Sequence, residues 1–230
     1  MVTEERTIAF VDLAGFTALT EAHGDTTAVQ LIDTFTDMAH QAVDGTDAAL
    51  VKAIGDAVML VAPDPAAALD AVRVLFEACY DTDLFLELRA GLHHGTVIAR
   101  DGDFFGATVN LAARVAGRAA SGQALGTATV AAAAQSLGLD AVPHGTHRLR
   151  NVLDAVELWA IELCPTQVEL TTDPVCHMRV RCNAAVGRIR HAGVEHWFCS
   201  LACVQQFTAD PDRHLAETGD RGRPGPLHDP

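Results

Sequence analysis

Two hydrophobic periods alternate along the first two-thirds of the chain, and their order restricts the folds open to it. Thr7-Ile8-Ala9-Phe10-Val11 is a short apolar run that stops at Asp12. From Thr26 to Val43 the residues Ala28, Val29, Ile32, Phe35, Ala39 and Val43 recur at helical spacing, with Asp25 or Thr26 as the expected cap. Ala49–Ala53 and Ala57–Ala62 are apolar runs separated by Ile54-Gly55-Asp56, the pattern of a hairpin with a glycine turn. Pro65 suits the first turn of a helix running to about Cys79 on Ala68, Val72, Leu75 and Phe76. Leu86–Leu92 and Thr96–Ala99 read as strands, Val109–Ala119 as a helix, and Val156–Ile161 as a closing strand. The order β-α-β-β-α-β, with additions, predicts an α+β fold built on a ferredoxin-like sheet.

The polar residues in this pattern are few and placed at its edges. Asp12 falls where the first strand stops and Asp56 at the hairpin tip, so pairing the two elements brings both carboxylates to one end of the sheet. Two acids converging beside open backbone suit Mg²⁺ or Mn²⁺ bridging to phosphates. The plainer readings are a turn or cap residue for Asp12 and a common Gly-Asp turn for Asp56. Lys52, four residues before Asp56, is the only lysine among 16 cationic side chains. A compact ammonium is not interchangeable with a guanidinium, and within an apolar run it must snorkel or point into a cleft. Asn110 and Arg114 stand four apart and so share one face of a helix entered through Asp103-Phe104-Phe105-Gly106. A neutral amide and a fixed cation on one face can orient a ribose and hold charge developing on a phosphate.

Composition narrows the partners and divides the chain. With a net charge of −14 over 230 residues, no nucleic-acid partner is expected, since phosphate neutralisation needs clustered Lys and Arg. No apolar run approaches the roughly 20 residues that span a bilayer. The amino-terminal stretch MVTEERTIAF holds acids and no apolar signal region. The expectation is therefore a cytoplasmic protein with reduced cysteines and no membrane partner. Residues 1–165 carry 9 Lys/Arg against 22 Asp/Glu, a net of −13, whereas residues 166–230 carry 7 against 8. Four of the six cysteines lie in that second part. Cys164-Pro165-Thr166-Gln167 reads as a linker, and 216–230, rich in Gly, Pro and Asp, as a disordered tail.

Taken in order, the segments of the first part resemble the class III nucleotidyl cyclase catalytic domain, over 1–165. The resemblance is carried by Phe10-Val11-Asp12-Leu13-Ala14-Gly15-Phe16-Thr17, Lys52-Ala53-Ile54-Gly55-Asp56, Gly91-Leu92-His93-His94-Gly95 and Phe105-Gly106-Ala107-Thr108-Val109-Asn110-Leu111-Ala112-Ala113-Arg114. It implies that Asp12 and Asp56 bind metal, two Mg²⁺ or Mn²⁺ ions per site. It further implies that Lys52 and Asp103 select adenine, that Asn110 orients the ribose and that Arg114 stabilises the transition state. In the family the site forms between two domains arranged head to tail, with Asp12 and Asp56 from one and Lys52, Asp103, Asn110 and Arg114 from the other. One copy per chain makes that a homodimer with two equivalent sites. The implied reaction converts ATP to 3′,5′-cyclic AMP and pyrophosphate. Adenine is complementary to an ammonium and a carboxylate, but guanine meets the same pair with the contacts exchanged. ATP thus rests on the family pattern, with a guanylate cyclase or a non-catalytic nucleotide-binding, metal-sensing protein as alternatives. Family members often hold the triphosphate with a late lysine; none exists here, and Arg148 or Arg150 is the available substitute.

The second part has its own chemistry. Twenty-two residues separate Cys176 from Cys199 and three separate Cys199 from Cys203. Two thiolates four apart on one helical turn, with a third from a distant knuckle, can converge on a soft or borderline metal such as Zn²⁺ or Cu⁺. The alternative is three ordinary buried cysteines in a small core. About 45 residues supply too little core for comfort, so a metal would help them fold. Residues 171–215 resemble a YHS (TRASH-like) metal-binding domain, a small Cys-rich treble-clef-like unit. Where that family has glycine after the first cysteine, His177 stands, either as a fourth ligand or as a turn residue; Cys182 and His196 are other candidates.

Overall fold

The central strand buries side chains on both of its faces, and the layers follow from it. The computed structural model describes residues 2–164 and 170–218. Strand β1 (Val2–Leu13) turns Ala9, Val11 and Leu13 to one face and Ile8 and Phe10 to the other. The first face is covered by α1 (Phe16–His23), α2 (Asp25–Val43) and α3 (Pro65–Asp81), whose Leu19, Phe35, Ala39, Leu69, Val72 and Leu75 are wholly or almost wholly buried. The hairpin β2 (Ala49–Ile54) and β3 (Ala57–Ala62) lies beside β1. In β3, Val58, Leu60 and Ala62 join the helix-covered core while Met59 and Val61 join the opposite cluster, which is why its sequence is apolar without alternation.

On the other side of β1 runs β4 (Leu88–Arg100), folded back onto β5 (Asp103–Phe105) and followed by α4 (Ala107–Ala116). Then come β6 (Ala124–Gly126), α5 (Ala128–Ser136), β7 (Ala141–His147) and β8 (Val156–Ile161). The sheet order is β2-β3-β1-β4-β6-β8-β7. Its first four strands have the ferredoxin-like arrangement expected, and the last three extend it. Helix α4 covers the second face, where its Ala112 packs with Ile8, Met59, Val61 and Val97.

Several boundaries differ from the sequence reading for identifiable reasons. The polar start of β1 is strand because β4 pairs with it throughout, from Val2↔Ala99 to Leu13↔Leu88. The same pairing makes one strand of the two expected at Leu86–Leu92 and Thr96–Ala99. Helix α2 begins at Asp25 with Gly24 at its cap and no side-chain cap bond, so neither Asp25 nor Thr26 caps it. Helix α3 starts as expected at Pro65, and Asp64 accepts a 3.0 Å hydrogen bond from the Ala67 amide. The elements α1, β5, β6, α5 and β7 go beyond the sequence expectation, being short, rich in alanine or, in β7, interrupted by Pro143 and Gly145.

The expected linker, 164–167, lies outside the described residues except for Cys164, since 165–169 are not described; two hairpins come after it. They are β9 (Leu170–Thr172) with β10 (Arg179–Arg181) and β11 (Gly187–His191) with β12 (Val194–Phe198). Helices α6 (Leu201–Ala209) and α7 (Pro211–Thr218) follow. Helix α7 enters the stretch expected as a tail, whose remainder, 219–230, lies outside the described residues. This segment packs tightly against the first: the Arg179 amide donates to the Phe85 carbonyl at 2.9 Å, and its buried guanidinium donates to the Cys79 carbonyl at the end of α3. Val175, Cys176, Phe198 and Phe207 belong to the same hydrophobic cluster as Leu19 and Phe35. Among the described residues no helix is long and apolar enough to cross a membrane.

One close approach sets the position of α4. A Cβ on Gly91 of β4 would fall 1.9 Å from the Ala116 backbone nitrogen, so only glycine lets the end of α4 rest on the strand. Gly91→Ala is therefore expected to lower stability by about 2 kcal/mol or more, the cost of overpacking against backbone. Urea denaturation measures it; an unchanged midpoint would show that α4 does not lean on β4.

Candidate active site

Alternation along β1 fixes the direction of Asp12. Val11 and Leu13 point into the helix-covered core, so Asp12 emerges on the other face, at the end of the strand. The Leu13 amide donates to the Asp56 carbonyl at 3.1 Å, which ties the hairpin tip to the end of β1 and brings the two carboxylates together as the sequence reading expected. Asp12 also faces Arg89 of β4, its register partner. Nε of Arg89 donates to Asp12 Oδ2 at 2.7 Å and a second guanidinium nitrogen donates to the same oxygen. Oδ1 of Asp12 is buried without a hydrogen-bond partner among the described residues. Burial pushes the Asp12 carboxyl above its ordinary range, Arg89 opposes this, and the neighbouring Asp56 adds to the rise. An orphaned buried carboxylate oxygen beside a second carboxylate is a fitting place for a divalent cation. Arg89 was absent from the sequence reading; its only signal is the β1–β4 register.

Lys52 stands opposite Met59 and so on the same sheet face as Asp12. Its Nζ lies 2.5 Å from Asp103 Oδ2 on β5, a contact that spans the sheet. The Lys52 hydrogen bond, and after it that of the Phe104 amide, hold the Asp103 carboxyl below its usual range. An ammonium donor thus sits beside a carboxylate acceptor, half-exposed. Asn110 and Arg114 lie one turn apart on α4, both exposed, and no ion pair joins Arg114 to a carboxylate among the described residues. The structure therefore brings together Asp12 with Asp56, Lys52 with Asp103, and Asn110 with Arg114, as three pairs on one face. Arg148 and Arg150 are exposed between β7 and β8. The histidines of Gly91–Gly95 serve the scaffold: His93 bonds Thr127 and His94 bonds Thr7, each at 2.9 Å.

The cysteine group differs from expectation in one member. Sγ of Cys199 is 3.4 Å from that of Cys176 and 3.6 Å from that of Cys203. The ring that completes the group is that of His23, at the end of α1, not His177. His177 has φ 62 and lies against Gly15, so it takes the turn role. Neither Cys182 nor His196 joins; the His196 ring packs on Phe207, with centroids 5.2 Å apart. His23 precedes Cys199 by 176 positions, and nothing in its local sequence marks it.

Two carboxylates thus converge at one end of an α+β sheet, and similarity to known proteins gives the family. The model of the adenylate and guanylate cyclase catalytic domain matches residues 2–162, and the chain belongs to that family. Among curated proteins it is similar to a pH-sensitive adenylate cyclase of Mycobacterium tuberculosis, 37% identical over 159 residues, covering 67% of this chain and 40% of that protein. An adenylate cyclase of Streptomyces griseus is 39% identical over 115 residues, 50% of this chain and 29% of that one. The chain thus spans less than half the length of the curated relatives it matches. Among solved structures, adenylate cyclases of Trypanosoma brucei in their monomeric state share the fold at a TM-score of 0.65 and 23% identity, covering 71% of this chain and 90% of theirs. The adenylyl cyclase CyaB from P. aeruginosa does so at 0.60 and 17%, covering 74% and 98%.

The raised Asp12 carboxyl makes a prediction with a definite sign. Stability from a group whose folded-state pKa is raised is present below its ordinary value of 3.8 and lost as pH rises through the raised one. Ionised Asp12 therefore costs stability at pH 7. Asp12→Asn is expected to raise the melting temperature there, and the gain is expected to shrink as pH falls toward 3.8. Mn²⁺ should stabilise the unsubstituted protein and not the variant. A thermal-melt series over pH measures both; a gain independent of pH would contradict this account of Asp12.

Proposed function

We propose that the protein is an adenylate cyclase that converts ATP to 3′,5′-cyclic AMP and pyrophosphate as a head-to-tail homodimer. The observation that carries the reading is the meeting of Asp12 with Asp56 on the same sheet face as the Lys52–Asp103 pair. Asp12 and Asp56 would hold two Mg²⁺ or Mn²⁺ ions. Bound there, the ions supply neutralisation of the triphosphate and a lowered pKa for the ribose 3′-hydroxyl. Lys52 donates to adenine N1 and Asp103 accepts from the exocyclic amine, which the closeness of the two side chains supports. Asn110 orients the ribose, and Arg114 stabilises charge on the α-phosphate as the 3′-oxygen attacks phosphorus and pyrophosphate leaves. The 3′-hydroxyl proton passes to solvent. With no lysine but Lys52, arginine and metal alone hold the phosphates, Arg148 or Arg150 being the nearest candidates from the sequence.

The homodimer draws support from the exposure of Asn110 and Arg114, which in one protomer lack partners among the carboxylates described. Residues 1–165 would form the catalytic domain. Residues 171–215 would form an appended treble-clef-like metal module of YHS type with a regulatory role, supported by the convergence of Cys176, Cys199 and Cys203.

Purified protein with ATP and Mn²⁺ tests the reading by cyclic AMP formation. Arg114→Ala is expected to lower kcat on the order of 10²-fold, and Asp56→Ala to abolish turnover. If sites are shared, equal mixing of these two inactive variants should restore about one quarter of the activity, because half the dimers then carry one intact site of two. No cyclic AMP above the Asp56→Ala background would defeat the cyclase reading, and faster turnover of GTP would make the protein a guanylate cyclase. Failure of the mixture to recover would defeat the shared site.

A further inference from the structure

The three cysteines and His23 enclose a single point. Nε2 of His23 lies 3.5 Å from Cys199 Sγ and 3.6 Å from Cys203 Sγ, and all four ligand atoms fall within 4.8 Å of one another. A tetrahedral ion with metal–sulfur bonds near 2.3 Å and metal–nitrogen bonds near 2.0 Å sets its ligands about 3.6–3.8 Å apart. Four of the group's six ligand-to-ligand distances, at 3.4–3.6 Å, are close to that spacing. The sulfurs are far beyond the roughly 2.05 Å of a disulfide, and all the cysteines are free.

The scaffold around the group is built to hold it. Cys176 and Cys203 are fully buried. Asp173, itself fully buried, accepts from the Val175 amide at 2.9 Å and from the Cys199 amide at 2.8 Å, joining the two knuckles that carry Cys176 and Cys199. Ser200 accepts from the Cys203 amide at 3.1 Å and caps α6, which sets Cys203 in the first turn.

We infer that His23, Cys176, Cys199 and Cys203 form a closed four-coordinate site for one Zn²⁺ ion, shared between helix α1 of the cyclase domain and the C-terminal segment. Three thiolates and one imidazole with no open position are the donor set of a structural zinc site rather than a catalytic one. Because His23 belongs to α1, the ion does more than staple a small module: it pins that module to the catalytic domain. Helix α1 follows directly on Asp12-Leu13-Ala14-Gly15, and the residue after Cys176 presses on the start of the same helix. A Cβ on Gly15 would fall 2.5 Å from Nδ1 of His177. The cysteine knuckle therefore grips both ends of α1, and filling the site steadies the loop that presents Asp12. That last consequence rests on the cyclase reading; the metal site does not.

The test uses the full chain freed of metal by a chelator and then titrated with Co²⁺ and Zn²⁺. One ion per chain is expected, with sulfur-to-cobalt charge transfer and tetrahedral d–d bands. Outer-shell groups alone are worth about 10–100-fold in affinity, so His23→Ala is expected to weaken Zn²⁺ binding at least about tenfold and to shift the d–d bands. His177→Gln is expected to change neither. Should His23→Ala fail to fold, His23→Cys places a thiolate at the same point and is expected to show a four-sulfur spectrum. Unaltered affinity and spectrum in the His23 variants, or a loss caused by His177→Gln instead, would overturn the assignment. Amide hydrogen exchange over 12–23 gives the coupling: Zn²⁺ is expected to slow it in the unsubstituted protein and not in His23→Ala. Equal exchange with and without Zn²⁺ would overturn the coupling. None of these readouts depends on cyclic AMP, so they succeed or fail independently of the proposed activity.

Discussion

The antiparallel register of β1 between β3 and β4 determines where the charged groups of the site lie. Pairing Asp12 with Ala57 on one side and Arg89 on the other puts the carboxylate at the edge of the face that α4 covers, where the Asp56 turn closes against it. A slip of one residue would send Asp12 into the core beneath α2 and α3 and expose Val11 and Leu13. The hydrophobic burial of those two residues, together with Ala9, therefore holds the acid in place. Lys52 inherits its face from the same sheet, through β3.

This placement is costly, and the cost is organised. Two carboxylates side by side in a partly buried position repel, and Arg89 offsets the charge of Asp12. The first 165 residues already carry a net of −13. On the proposed reading a polyanionic substrate would meet that surplus, and neutralisation of Asp12 and Asp56 would favour its binding. The oxygen of Asp12 that has no hydrogen-bond partner among the described residues fits the cation of that reading. Arg89 also gives the pair a resting partner, which a cation would have to outcompete or share.

The C-terminal segment meets the same part of the fold from the opposite side. Its contacts include those of Arg179 at the end of α3 and of the cysteine knuckle on α1. Both helices belong to the layer that covers the first face of the sheet. The segment thus braces the layer on which the orientation of β1 depends, without approaching the face that carries Lys52, Asn110 and Arg114.

Local sequence determined a large share of this protein. The hairpin around Gly55, the start of α3 at Pro65, the closing strand Val156–Ile161 and the ferredoxin-like order all follow from period and turn chemistry, which act over a few residues. So do the pairs within reach of one element, such as Asn110 with Arg114. Tertiary structure decided what depends on partners distant along the chain. It merged two expected strands into β4, set Arg89 on Asp12, and chose His23 over His177 for the cysteines. The physical reason is the same in each case: hydrogen-bond register and helix docking join residues 77 and 176 positions apart, and no local pattern records which ones will meet.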